Sequence, residues 1–175
     1  MKSLVGILGV AIAACGGSGA EPKGPLAVQQ GLGQRCTDGV VDGHEVTLCL
    51  DDVSWPEARR RCSQADMQLL VIRNPTAQRE ADDLLMKSGA APTDAPWIGM
   101  RKGAGGALIW VDGSGTAFQA FTEGEPNGGG AEACIHMNWP LGGGTWNDAR
   151  CDDVQAWSSF ICEKSVLRLD VVPEG

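Results

Sequence analysis

Glu125-Pro126-Asn127, then Glu132 two residues before Cys134, then Trp146-Asn147-Asp148 three residues before Cys151, is the stretch that decides how this chain is read. Between Glu125 and Asp148 it gathers three carboxylates, Glu125, Glu132 and Asp148, and two amides, Asn127 and Asn147. All are oxygen donors, and a hard cation such as calcium takes about six to eight oxygens. No thiolate or imidazole belongs to the set, which disfavours zinc and copper. The segment from Asn127 to Glu132 is short and rich in Gly. It leaves few side chains to add specificity, and its freedom raises the cost of ordering an empty site.

The rest of the chain sets the frame for that site. Its 175 residues suffice for one domain with a packed core. A net charge of -8 and a pI near 4.7 argue against nucleic acid as a partner, because nucleic acid selects basic surfaces. With 25 Gly, no Tyr and six Trp, the composition predicts many loops and a core that leans on tryptophan.

Seven cysteines are an odd number for an exported chain, and the first accounts for the oddness. A short basic start precedes the apolar run Leu4 to Ala14, which is too short to span a bilayer. The run ends in Ile12-Ala13-Ala14-Cys15, which resembles a bacterial lipobox, where cleavage before the Cys frees it to carry lipid. An ordinary signal peptide cut near an Ala-x-Ala site, or a buried helix, are the other readings of this stretch. The lipobox predicts a signal peptide over residues 1–14 and a lipidated Cys15, with a flexible Gly-rich tether over residues 15–30. Localisation follows as exported and lipid-anchored in a bacterial cell envelope, at the outer membrane or cell surface. Six cysteines remain: Cys36, Cys49, Cys62, Cys134, Cys151 and Cys162. An even number predicts a disulfide framework, and arithmetic alone leaves about fifteen pairings open.

Between the cysteines the pattern is helices first, strands later. Asp42-Gly43 between short apolar runs predicts a hairpin, with Cys36 and Cys49 at its two ends. Ser54-Trp55-Pro56-Glu57 reads as a capping box, and Trp55, Ala58 and Cys62 then share one helical face. Arg59, Arg60 and Arg61 fall mainly on the solvated faces. Leu69 to Ile72 reads as a short buried strand. A second helix opens at Asn74-Pro75, buries Ala77, Ala81, Leu84 and Leu85, and stops at Gly89. Trp97–Met100, Leu108–Val111, Ala133–Met137 and Ser159–Cys162 read as strands, and Phe121–Glu132 and Trp139–Asp148 as loops that carry the candidate ligands. Val166–Val172 is a further strand or a loose tail. The class is α+β.

These features together resemble the C-type lectin family. Trp55-x-x-Ala58-x-x-x-Cys62 resembles its first helix, Trp97-Ile98-Gly99-Met100 its core strand, and Phe160-Ile161-Cys162-Glu163-Lys164 its closing strand. Glu125-Pro126-Asn127 and Trp146-Asn147-Asp148 resemble its two calcium motifs. The resemblance covers about residues 31–165, followed by a C-terminal tail over residues 166–175. It implies the C-type lectin-like fold, with two helices, short antiparallel sheets, long calcium-binding loops and three disulfides. It implies the pairs Cys62–Cys162 and Cys134–Cys151, with Cys36–Cys49 as the extra bridge of the family's long form. It implies a cis bond before Pro126, and a Ca2+ site made of Glu125, Asn127, Glu132, Asn147 and Asp148. Gly128, Ala133, Arg101 and Lys102 stand where members with several calcium ions often carry acids.

In the family the same five residues also bind sugar: each acid accepts a hydroxyl proton and each amide donates to the next oxygen. Glu-Pro-Asn goes with glycans whose 3- and 4-hydroxyls are equatorial: mannose, N-acetylglucosamine, glucose or fucose. The expected function is calcium-dependent carbohydrate binding by a surface-anchored lectin domain, with a protein-binding adhesion module of the same fold as the alternative. Trp146 is expected beneath the site, and His136 as a strand residue. Paired carboxylates also suit a glycosidase. Here the acids are used as ligands, and no Ser/His/Asp or Cys/His arrangement stands out, so no enzyme is expected. If Cys15 carries the anchor, Cys15→Ser should release the protein from bacterial membranes or block its processing. Detergent partitioning of the variant checks this, and unchanged partitioning contradicts it. Two or more acyl chains anchor stably where one does not.

Overall fold

The computed structural model describes residues 31–138, 144–154 and 159–164. The signal peptide, Cys15, the tether, Trp139 and the 166–175 tail lie outside them. The described elements are β1 (Cys36–Val41), β2 (His44–Cys49), α1 (Trp55–Gln64), β3 (Met67–Leu69), α2 (Pro75–Ser88), β4 (Trp97–Lys102), β5 (Leu108–Trp110), β6 (Cys134–Asn138), β7 (Thr145–Ala149) and β8 (Phe160–Lys164). The fold is α+β, as expected.

Both helices start where their caps place them. Asn74 Oδ1 accepts from the Thr76 and Ala77 amides at 2.9 Å, with Pro75 in the first turn. Gly89 closes α2 at φ 75°, a left-handed conformation that glycine adopts without a Cβ penalty. At α1 only half of the capping box forms. Ser54 Oγ accepts from the Glu57 amide at 3.4 Å, but the Glu57 carboxylate turns outward to Arg60 and Arg61. Two guanidiniums hold that carboxyl down to about 2. Arg61 also donates to the Leu32 carbonyl, so one of the three arginines ties the helix to the N-terminal segment.

The strands form one sheet in the order β1-β2-β8-β4-β6-β7, with β3 paired to β8 and β5 to β4. All pairs are antiparallel except the short β4–β8 contact, where Trp97 faces Phe160. Asp42 and Gly43, at φ 51° and 77°, make the β1–β2 turn. Pairing of β2 with β8 brings the two ends of the domain together. The expected strand over Leu69–Ile72 is shifted: the ladder runs from Met67 to Leu69, and Leu70 to Ile72 continue as buried chain. Their apolar side chains signal burial, and burial does not require a ladder. The Leu70 amide bonds Ile161 and its carbonyl takes the Gly99 amide, so the segment is still satisfied.

The core has two parts. Around α1, the buried set is Trp55, Ala58, Cys62, Leu69, Trp97 and Phe160. Trp55 and Trp97 donate their indole N–H groups to the Ile98 and Val53 carbonyls. Around α2, Ala77, Ala81, Leu84 and Leu85 pack with Ile98, Met100, Trp110, Ile135 and Trp146. Four of the six tryptophans are buried, and the other two lie outside the described residues. The bridges are Cys36–Cys49, Cys62–Cys162 and Cys134–Cys151, the pairs the family resemblance implied.

The second helix also braces β7. Gln78 Oε1 accepts the Trp146 indole N–H at 2.7 Å, and Gln78 Nε2 donates to Asp82 Oδ1 at 3.1 Å. Asp82 lies against Gly144, where an added Cβ would come within 2.5 Å of its Oδ2. Burial raises the Asp82 carboxyl from 3.8 to about 6, against the opposing Gln78 hydrogen bond.

Two stability predictions follow from this packing. Loop entropy makes a bridge over a separation of 100 residues worth about 4–5 kcal/mol, against about 3 kcal/mol for a short one. Cys62→Ala with Cys162→Ala should therefore lower the denaturant midpoint more than removal of Cys36–Cys49, as urea titration of the two variants would show. For Asp82 the folded value lies above the unfolded one, so its contribution is fully present below pH 3.8 and lost as pH rises through about 6. Asp82→Asn should flatten the stability profile between those pH values and stabilise the domain near neutrality by roughly 1 kcal/mol, discounted for partial exposure. Thermal melts from pH 3 to 8 would check both points.

Candidate functional site

The site lies where the long segment between β5 and β6 folds back on β7. The Trp146 amide bonds the Ala120 carbonyl at 2.7 Å, and the Thr122 amide bonds the Trp146 carbonyl at 3.0 Å. This seam fixes the approach to Glu125. The Glu125–Pro126 peptide bond is cis. Beneath it, Trp146 is fully buried and meets Trp110, Phe118 and Phe121 edge-to-face at 5.6–5.7 Å between ring centroids. It is a floor and not a sugar platform.

The sequence pattern predicts a loop for Asn147 and Asp148. They sit instead inside strand β7, opposite His136 and Ile135 of β6. A strand alternates its side chains, so Trp146 and Asp148 face inward while Asn147 faces outward. Asp148 is thus a buried carboxylate. Its Oδ1 accepts the Asn127 amide at 3.0 Å, and its Oδ2 accepts the Gly128 amide at 3.0 Å. Lys102 Nζ forms an ion pair with Oδ2. Burial works against its charge, but the Lys102 ammonium, the Glu125 contact and the two amides together hold the Asp148 carboxyl below the usual range.

Glu125 is brought to the same place. Its Oε1 accepts Asn127 Nδ2 at 2.8 Å, and its Oε2 accepts the Asn127 amide at 3.0 Å. Desolvation, then its hydrogen bond with Asp148, and further the Glu132 charge, push its carboxyl up. Of the two touching acids, Glu125 is the one that takes a proton first. Glu132 folds across Gly128: a Cβ there would lie 2.0 Å from Glu132 Oε2 and 2.4 Å from its Cβ. Asn147 Nδ2 donates to the Asp148 carbonyl at 2.9 Å. Glu125, Asn127, Glu132 and Asp148 thus meet in one cluster, and Asn147 borders it from the outward side of β7 through the Asp148 carbonyl.

The donor chemistry fits a hard cation. Glu125 lies beside Asp148 with the Glu132 charge nearby, so the acids compete for positive charge, and every candidate donor is oxygen. Among the described residues, the one group of acid, thiol and imidazole ligand atoms that all lie within 4.8 Å of one another is Cys36, Cys49 and Asp51, and it offers no thiolates because the cysteines are bonded to each other. His136 is buried against Trp97 in a T-shaped contact, and burial lowers its pKa, as suits a strand residue.

Two participants escaped the motif reading. Gly128 stands where an acid is often found in the family, yet it is the residue that leaves room for Glu132. Lys102 departs from the same pattern, yet it holds the central carboxylate. Strand alternation gives a signal for it: Lys102 is two residues beyond the buried Met100 and so shares its face.

The family described as "Lectin C-type domain" matches residues 51–164. The mouse low affinity immunoglobulin epsilon Fc receptor is 34% identical over 113 residues, covering 63% of this chain and 30% of the receptor. Ladderlectin of Oncorhynchus mykiss is 33% identical over 116 residues, covering 65% of this chain and 58% of its own. The chain thus spans less than two thirds of these relatives. Among solved structures, the mouse scavenger receptor C-type lectin carbohydrate-recognition domain aligns with a TM-score of 0.63 at 22% identity, over 73% of this chain and 93% of that one. The cow CD23 carbohydrate-recognition domain, solved in the presence of a GlcNAc2Man3 oligosaccharide, aligns at 0.54 and 27% identity, over 73% and 96%. The helices, the disulfides and the family match over most of the domain agree: this chain belongs to the C-type lectin domain family, whose members are binding proteins and not enzymes.

Proposed function

We propose that this chain is a calcium-dependent lectin domain for glycans with equatorial 3- and 4-hydroxyls, mannose foremost, held at a bacterial cell surface by lipid on Cys15. Its domain is taken as residues 31–165, with the tether before it and the tail after it. The observation that carries the reading is the side-by-side pairing of acid and amide, with Glu125 Oε1 2.8 Å from Asn127 Nδ2. Glu125, Asn127, Glu132, Asn147 and Asp148 would hold calcium. When bound, the ion supplies coordination to hydroxyl oxygens of the sugar. The residues do the rest. Glu125 and Glu132 accept hydroxyl protons, and the amides of Asn127 and Asn147 donate to the oxygens. Acid and amide in this order match a vicinal diol in one arrangement, which is the source of selectivity. The oligosaccharide present with the cow CD23 domain supports the sugar class. A site with so few contacts holds one monosaccharide weakly, and many anchored copies on one surface raise the avidity.

The alternative, a protein-binding adhesion module without sugar, is favoured by one observation. Both Asp148 oxygens already accept donors from within the chain. A glycan array with and without chelator decides between the two. Mannose-type glycans should be retained only with calcium, and Asn147→Asp should weaken retention at least tenfold by removing an amide donor. Glu125→Gln with Asn127→Asp keeps the charge while exchanging donor and acceptor, and it should lose mannose. Tight calcium binding with no glycan retained would hand the lead to the protein-binding reading.

A further inference from the structure

Among the described residues, Lys102 is the one cation that forms an ion pair with an acid of the cluster. It leaves the end of β4, and its ammonium reaches two partners that no other side chain joins among the described residues: the Asp148 carboxylate of β7 and, at 2.9 Å, the Gly129 carbonyl of the loop. Its side chain is 9% exposed and that of Asp148 is 0% exposed, so water screens the pair little. The Lys102 amide bonds the Ala133 carbonyl at 2.8 Å, which anchors the base of the side chain to the far end of the same loop. One residue therefore touches the loop at its middle and at its far end, and the strand behind it.

Charge counting points the same way. Glu125, Glu132 and Asp148 against Lys102 leave two negative charges, which one divalent ion neutralises. Gly128 and Ala133 offer no further carboxylate. We infer that Lys102 is a tethered cation that holds the binding loop against β7 in the absence of calcium and takes the place of a second metal ion. A lysine suits this role because a compact ammonium on a flexible stem can bond a carboxylate and a carbonyl at once. The Asn127 and Gly128 amides, which point at Asp148, are then ordered before any metal arrives. This lowers the ordering cost that the glycines at 128, 129 and 130 would otherwise impose. Lys102 is in this sense a positioning residue. The inference extends the calcium reading above but can fail separately from it.

Amide hydrogen exchange in chelator tests it on the wild type and on Lys102→Met, Lys102→Arg and Arg101→Met. The Asn127 and Gly128 amides should be protected in the wild type and exchange at least tenfold faster in Lys102→Met. Lys102→Arg keeps the charge and should stay within about threefold of the wild type, and Arg101→Met should not differ from it. The Gly99 and Met137 amides, bonded to Leu70 and Pro96 inside the core, report whether each variant is folded. Unchanged exchange in a folded Lys102→Met, or an unprotected loop in the wild type, overturns the inference. So does a calcium titration that finds two ions per wild-type chain. The exchange arm is read without metal, so a failure to bind any calcium bears on the sugar reading alone.

Discussion

A carboxylate on the inward face of a strand must find positive charge or donors, and Asp148 is that carboxylate. Register leaves it no choice. The β6–β7 ladder pairs it with Ile135, and Trp146 two residues earlier fills the core on the same face. Removing one partner of a buried charge costs about 3–5 kcal/mol, because the other is left uncompensated. The surroundings are built to prevent that. Two loop amides and one lysine converge on its oxygens, and the shape of the loop from Glu125 to Gly129 follows from that convergence.

This explains what the sequence made legible and what it did not. The helices are local objects. Asn74, Pro75 and Gly89 mark one of them, and Trp55, Ala58 and Cys62 mark the buried face of the other. The five candidate ligand positions stand out because acids and amides stand at fixed distances from two cysteines. Strand β7 was missed because nothing local specifies it. Thr145 to Ala149 is short, mostly polar and preceded by glycines, and it is a strand only because β6 and the Cys134–Cys151 bridge hold it there. The capping box failed by half for a similar reason. Glu57 had a stronger offer from two arginines than from one backbone amide.

Lys102 shows the limit of reading a site by its ligands. A motif lists the groups that touch the ion, and it says nothing of the groups that make their burial tolerable. A basic residue near a candidate cation site looks like a flaw in the pattern until its partner is seen to be buried. Gly128 carries the same lesson with the opposite sign. It looked like the loss of a carboxylate and is the space that another carboxylate occupies.

The arrangement divides the cluster into two halves. The inner half, the side chains of Asp148 and Lys102, is largely buried, and the Asn127 and Gly128 amides close over it from the loop. The outer half, Glu125, Asn127, Glu132 and Asn147, is partly or fully exposed. The inner half is bonded internally on every oxygen for which a partner is seen, so it defines geometry and is a poor surface for a partner to contact. The outer half still has donor and acceptor capacity facing solvent. Alternation along β7 creates this division, since it turns Asn147 outward as it turns Asp148 inward. On the proposed sugar-binding reading, changes of specificity belong to the outer residues, where an acid and an amide can be exchanged without disturbing a buried charge. The same exchange at Asp148 would disturb the loop that carries Glu125 and Asn127, and would undo the site before it could alter its preference.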